Sequence, residues 1–354
     1  MKILLVGEFS GFFKNLKKGL EDLNHEVILM SGMDGRKKID GANISIDSKI
    51  DGIIGKIEKR LKYLYYVLKL SKFDVIYIVN PNIGLSFISK LFSYILRKKS
   101  KNIYLSACGT DIEYINYGLS GKFDYWPYLN CNSIQKRSQF VHENILTNID
   151  FIIPAFYDYA EPWRNSRYNM QVLNTIPLPI DAVSIKTFYP KSKGKIIFFH
   201  GLNRECIKGT LYIKEALLNM QKKYPDDIEV IIDGKMPLKE YLNLMQKVDV
   251  IVDQCKVYSY GSMNSLYALS MGKIIMGGYR KECREEYKIK EKISGILHIE
   301  PNTNQIESQI EYIIKNKSLL TKWGQENRKY VVKYHDSRII AKNYIDLFEK
   351  YNRI

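Results

Sequence analysis

The feature that most constrains this chain is a rhythm: short apolar runs alternate with amphipathic helical stretches along nearly its whole length. Ile3–Val6, Val27–Met30, Val75–Val79, Ile103–Ser106 and Phe151–Pro154 are such runs in the first half. Ile196–Phe199, Ile228–Ile232, Val250–Asp253, Ile274–Met276 and Gly295–Ile299 repeat the pattern in the second. Strand, helix, strand in repetition predicts parallel, doubly wound sheets in an α/β fold, because each crossover needs a helix to return the chain. At 354 residues the chain exceeds one ordinary core. The pattern breaks near Phe188–Gly194, where Pro, Gly and Lys interrupt it before a new strand. The expectation is two Rossmann-like domains facing across a cleft, over 1–189 and 190–336, with a terminal helix over 337–354 returning to the first.

Composition narrows the class. With 45% hydrophobic residues, disordered and collagen-like chains drop out. The formal charge of +16 points to something acidic: nucleic acid, an anionic membrane or a phosphate-bearing substrate. Five cysteines, odd in number, far apart and in no CxxC pair, predict neither a disulfide framework nor a zinc site, and suggest a reducing, cytoplasmic setting. The opening run Met1–Gly7 reads as a buried strand, not a signal peptide. No stretch has the roughly 18 apolar residues of a membrane span.

In open α/β sheets ligands collect at the carboxyl ends of the strands, so the strand-to-helix loops carry the candidates. In the first, Gly7 and Gly11 either allow a tight turn or bring backbone N–H groups to a ligand; the loop is not GxGxxG, which disfavours a nicotinamide cofactor. In the second, Asp111 is either an N-cap or a carboxylate for an acceptor hydroxyl. In the third, His200-Gly201 leads to Arg204 and Lys208, two cations that can clamp a diphosphate at a helix N-terminus. In the fourth, Tyr260-Gly261-Ser262 opens a helix carrying Asn264, Ser265 and Tyr267, either as a second anion-facing end or as an ordinary capped helix. His25, His142, His298 and His335 read as structural, and His200 stands apart only by its place at the end of a strand. Aromatics around Tyr114–Tyr128, with Tyr157, Tyr159 and Trp163, are either core or sugar-stacking platforms.

These residues, in this order, resemble retaining glycosyltransferases of the GT-B fold, in particular the family 4 group of capsular and lipopolysaccharide synthesis. The likeness runs along most of the chain and is densest from Ile180-Asp181 through Lys208-Gly209 to Tyr260–Gly278. It implies that Arg204 and Lys208 hold a nucleotide diphosphate, and that Ala268–Lys273 matches the family's "EAMALGKPV" stretch. His335-Asp336 is similar to the lead into the family's closing helix. The family's two glutamates here fall on Ser259 and Tyr267, neither acidic. The resemblance therefore implies metal-independent, retaining transfer from a nucleotide-sugar donor to a glycan, with donor contacts at Tyr260, Asn264 and Ser265. A nucleotide-sugar 2-epimerase of the same fold and a weakly active nucleotide-sugar-binding subunit are the alternatives. Asp-any-Asp is absent from the sequence, so no cofactor or metal requirement is expected.

The charge is unevenly spread. Residues 1–101 hold 19 Lys+Arg and 10 Asp+Glu, against 6 and 8 in 102–190. In the helical stretch Lys56–Lys72, Ile57, Leu61, Leu64 and Leu68 are expected to face inward, and Lys59, Lys62, Tyr63, Tyr66 and Lys69 outward. Lys59, Lys62, Tyr66 and Lys69 would then meet an anionic membrane, placing the protein on the inner face of a membrane beside a lipid-linked glycan acceptor. Nucleic acid is not expected, since no recognised motif accompanies the charge.

Overall fold

The computed structural model describes residues 1–352, apart from 33, 35–38, 130, 132–136, 203, 235, 259, 260 and 292. Its contacts divide the chain into two units: residues 1–120, 135–179 and 337–354, and residues 121–134 with 180–336.

The first unit holds strands β1 (Lys2–Val6), β2 (Glu26–Ser31), β3 (Ile44–Ser45), β4 (Val75–Ile78), β5 (Ile103–Ala107) and β6 (Phe151–Pro154). Its helices are α1 (Phe12–Asp22), α2 (Gly52–Lys69), α3 (Ser89–Lys99), α4 (Ile112–Leu119), α5 (Gln139–Leu146) and α6 (Tyr157–Arg164). All strand pairs are parallel, in the order β3-β2-β1-β4-β5-β6. Central strands β1, β4 and β5 are apolar on both faces because helices cover both, which is why the sequence shows continuous apolar runs instead of alternation.

The second unit holds β7 (Ile196–Leu202), β8 (Ile228–Gly234), β9 (Val250–Val252), β10 (Ile274–Gly277) and β11 (Ile296–His298). Its helices are α7 (Glu205–Lys208), α8 (Thr210–Lys223), α9 (Leu238–Lys247), α10 (Met263–Ser270), α11 (Lys281–Glu286), α12 (Thr303–Lys315) and α13 (Leu320–His335). The sheet is again parallel, in the order β11-β10-β9-β7-β8. Two sheets, each closed around its own apolar core, give the expected pair of Rossmann-like domains. The chain changes unit at Pro179/Ile180, ahead of the Phe188–Gly194 break.

The last helix, α14 (Ser337–Tyr351), returns to the first unit. Ile340, Ala341, Tyr344, Ile345 and Phe348 form its buried stripe, and each large side chain buried there contributes about 1.5–3 kcal/mol. Tyr344 and Tyr77 hydroxyls hydrogen-bond at 3.1 Å. Gly19 of α1 is needed at this crossing, since a Cβ there would lie 2.0 Å from the Ser337 carbonyl oxygen.

Two expectations are overturned. Cys131 and Cys206 form a disulfide across 75 residues of sequence, within the second unit. Spacing along the chain carried no sign of it, because residues 121–129 and Cys131 belong with the second unit and not with the residues just before them. Lys256 Nζ donates to the Leu129 carbonyl, Asp124 N to the Tyr258 hydroxyl, and Arg280 to the Asp124 carboxylate. The inference of a reducing compartment from the cysteine pattern therefore loses its basis.

The second correction concerns α2, which is turned about its axis from the expected orientation. Tyr63 and Val67 are buried and Tyr66 is half-buried, with Tyr63 edge-on to Phe92 of α3 at 5.4 Å. Ile57, Leu61 and Leu68 are exposed, and Leu64 sits at the border of the core. Lys59 pairs with the Asp47 carboxylate, Lys62 with Glu58 and the Asp47 carbonyl, and Lys69 with the Tyr65 hydroxyl. An amphipathic pattern fixes which residues share a face but not which face meets the core, and here the aromatic side fits against α3. Among the described residues no helix is long and apolar enough to cross a membrane.

Candidate functional site

Strands β7 and β9 are neighbours in the second sheet, with His200 in register with Val252. Their carboxyl ends therefore bring together two loops far apart in sequence. Arg204 begins the first loop in a left-handed conformation (φ 56°), and the single-turn α7 that follows ends at Gly209, also left-handed (φ 74°). A Cβ at Gly209 would lie 2.3 Å from Cys255 Sγ, so the turn needs a glycine. The tight turn aims Lys208 at the end of β9, where Nζ lies 3.2 Å from Asp253 Oδ1.

Asp253 is buried and is the hub of the site. Ser262 Oγ donates to Oδ2 at 2.6 Å, Ser265 Oγ to the same oxygen at 3.1 Å, and Asn264 Nδ2 to Oδ1 at 2.9 Å. Ser262 also caps α10, its Oγ accepting from Ser265 N at 3.2 Å. Burial by itself would push the Asp253 carboxyl up; the Lys208 charge and the hydrogen bonds from Ser262, Asn264 and Lys208 more than offset it, and the group is held ionised below its ordinary value. The result is a cation, a capped helix N-terminus and a fixed carboxylate at the carboxyl edge of one sheet. That arrangement can receive an anionic group while Asp253 keeps Lys208 in place.

No protein-family model matches the chain, and no curated protein matches it in sequence. Solved structures do match in fold. Sucrose-phosphate synthase from Thermosynechococcus elongatus is similar with a TM-score of 0.67 and 13% identity over 99% of both chains. Anabaena HepE in complex with UDP and glucose is similar at 0.63 and 12%, again over 99% of both. The fold is GT-B. UDP-GlcNAc 2-epimerase from Methanocaldococcus jannaschii is also similar, at 0.52 and 12% identity over 98% of this chain and 99% of that one.

Of the residues singled out in this GT-B chain, Lys208, Ser262, Asn264 and Ser265 converge on Asp253. The others are placed differently. Arg204 is exposed on its loop, while Lys208, four residues on, is half-buried with its Nζ at Asp253. His200 is buried and serves as a brace. Its Nδ1 donates to the Val252 carbonyl at 2.7 Å, which leaves Nε2 to accept from the Thr210 hydroxyl at 2.8 Å, and burial lowers its pKa to about 4. Gly201 makes room for Tyr241, whose hydroxyl would lie 2.7 Å from a Cβ there. Gly261 takes a φ of 107° against His335, Tyr267 is half-buried on α10, and Tyr260 and Ser259 lie outside the described residues.

In the first unit the loop after β1 is filled from within. Glu8, buried, accepts from Gly11 N at 2.9 Å and from Lys14 N at 2.8 Å, so its own carboxyl occupies the start of α1. Gly7 and Gly11 supply the positive φ of the turn (91° and 92°). Burial, partly opposed by these hydrogen bonds, raises the Glu8 pKa to about 7. Asp111 takes the N-cap role: Oδ1 accepts from Tyr114 N at 2.9 Å and Oδ2 from Trp163 Nε1 at 3.1 Å. It is completely buried, and burial raises its pKa to about 6. Tyr114, Trp126, Tyr128 and Trp163 are likewise buried, which is core packing and not a sugar platform.

Asp253 and Glu8 were not singled out from sequence. The signal for Asp253 was present, since it directly follows a strand on the side where such sheets bind ligands.

Proposed function

We propose that this GT-B chain is a glycosyltransferase that moves a sugar from a nucleotide-diphosphate sugar to a glycan acceptor. The observation that carries the reading is the Lys208–Asp253–Ser262 constellation at the carboxyl ends of β7 and β9. Lys208 and the start of α10 take the charge that develops on the departing nucleotide diphosphate. The bond from the anomeric carbon to the diphosphate oxygen breaks, the acceptor oxygen bonds to that carbon, and its proton leaves with the diphosphate. No protein nucleophile is assigned, in keeping with metal-independent, retaining, front-face transfer. We further propose a lipid-linked acceptor in surface-polysaccharide synthesis of the capsule or lipopolysaccharide type, at the inner face of a membrane. Structures of similar fold hold UDP or UDP-glucose, which makes UDP the first donor nucleotide to test.

Thermal-shift measurement against UDP, GDP, CMP and dTDP is expected to show stabilisation by one of them. At about 100 times its dissociation constant a nucleotide adds about 2.7 kcal/mol. Lys208→Ala is expected to weaken that binding at least about tenfold, the value of one charge-assisted contact. No stabilisation by any of the four overturns the donor-site assignment. The fold also accommodates 2-epimerisation, as the M. jannaschii structure shows; with the matching nucleotide-sugar, release of free nucleotide upon glycan addition supports transfer, and recovery of a C2-epimerised nucleotide-sugar supports the alternative.

A further inference from the structure

The turn of α2 leaves an apolar crest facing outward. Ile53, Ile54, Leu61 and Leu68 are 76%, 67%, 56% and 60% exposed, and with Ile57 they recur at helical spacing along one side. Phe87, Leu91 and Tyr94, before and within α3, form a second exposed stripe. The two belong to one surface. Arg60 of α2 lies over the Phe87 ring at 5.6 Å, Lys99 of α3 donates to the Leu68 and Leu70 carbonyls, and Tyr63 packs on Phe92 behind them. Apolar residues scattered singly over a surface need no explanation, whereas two parallel aliphatic and aromatic stripes side by side do.

The fringe of this surface is basic. Between Lys49 and Lys101 the chain holds 12 Lys+Arg and 3 Asp+Glu. Lys69 stands over the Tyr65 ring at 4.2 Å and Lys98 over the Tyr94 ring at 5.2 Å, so cations rise beside exposed aromatics. Apolar crest and cationic rim together match the boundary of an anionic bilayer, where side chains enter the acyl region while ammonium groups stay with the headgroups. Lys59 and Lys62, engaged with Asp47 and Glu58, are not the groups that make this contact.

We propose that the α2–α3 face inserts its apolar crest, led by Ile53, Ile54, Ile57 and Leu61, into the surface of an anionic lipid bilayer. Insertion, unlike adsorption through lysines, survives high salt. The inference rests on the previous reading only for its purpose, the meeting with a lipid-linked acceptor. Vesicle binding reports on the first unit and nucleotide binding on the second, so either can fail alone.

The test is co-sedimentation of the full chain with vesicles of phosphatidylcholine alone or of equimolar phosphatidylcholine and phosphatidylglycerol. Binding to the anionic vesicles is expected, with a substantial part retained at about 0.5 M NaCl, where the Debye length is only a few Å. Ile54→Glu with Leu61→Glu is expected to reduce it at least about tenfold, given about 0.8 kcal/mol per buried methylene. Lys59→Gln with Lys62→Gln is expected to leave it within about twofold, since neither ammonium is free. The two glutamates replace exposed side chains, and unchanged far-ultraviolet circular dichroism confirms the fold. Absence of wild-type binding, equal binding by the double-glutamate variant, or complete loss in salt each overturns insertion. So does a wild-type dimer that the double-glutamate variant converts to monomer while no vesicle binds, which would give the face to a second copy of the chain.

Discussion

Each unit buries a carboxylate at the carboxyl edge of its sheet, and the two differ in what faces them. Glu8 meets backbone N–H groups and the nearby Asp34 charge but no cation, and burial wins: its pKa rises to about 7. Asp253 is as deeply buried but meets the Lys208 ammonium and three side-chain donors, and stays ionised. Burial therefore does not decide the charge of a carboxyl group; the nearest cation does. The first edge is closed on itself, with Glu8 standing where an outside anion would bind. The second holds a cation in place for one.

The sharpest way to break this contrast is Asp253→Ala. It leaves the half-buried Lys208 without its partner, removes an acceptor from Ser262, Asn264 and Ser265, and is expected to cost about 3–5 kcal/mol in chemical denaturation. A loss below about 1 kcal/mol would show that the hub is ornamental.

Glu8 gives the next effect, through pH. The native state keeps its proton up to about pH 7, whereas the unfolded chain releases it near 4.5. The native state thus binds more protons in that window, and stability falls as pH rises through it, by up to about 3 kcal/mol. Glu8→Gln is expected to remove this slope between pH 4.5 and 7. Identical slopes for both proteins in denaturation would show that Glu8 does not titrate as its burial demands.

The smallest effect sharpens the second edge. Ser262→Ala takes away the α10 cap and one of the donors to Asp253, for about 1 kcal/mol of stability. Because the helix end and Lys208 remain, nucleotide binding should weaken less than in Lys208→Ala; the reverse order by titration calorimetry would make Ser262, not Lys208, the principal contact.

Much of this was legible from residue order. β6 spans the expected Phe151–Pro154, the terminal helix begins at Ser337 as expected, and the loops after β7 and before α10 were recognisable as cation-bearing and helix-opening. β3 was not legible, since two residues carry no periodicity. Nor was the partnership of Lys208 with Asp253: they lie 45 residues apart and meet only because β7 and β9 are adjacent. The place of Asp111 as a cap depended on Trp163, which arrives from α6.

Residue order carries what is local: the longer strands and helices, and which residues share a face, because periods of 2 and 3.6 are properties of the backbone. What depends on a partner emerges in the folded chain. The outward turn of the α2 crest, the bond of Cys131 to Cys206 in the second unit, and the different protonation of Glu8 and Asp253 all depend on what each group meets in the folded chain, and burial has energetic consequences only once those neighbours are in place.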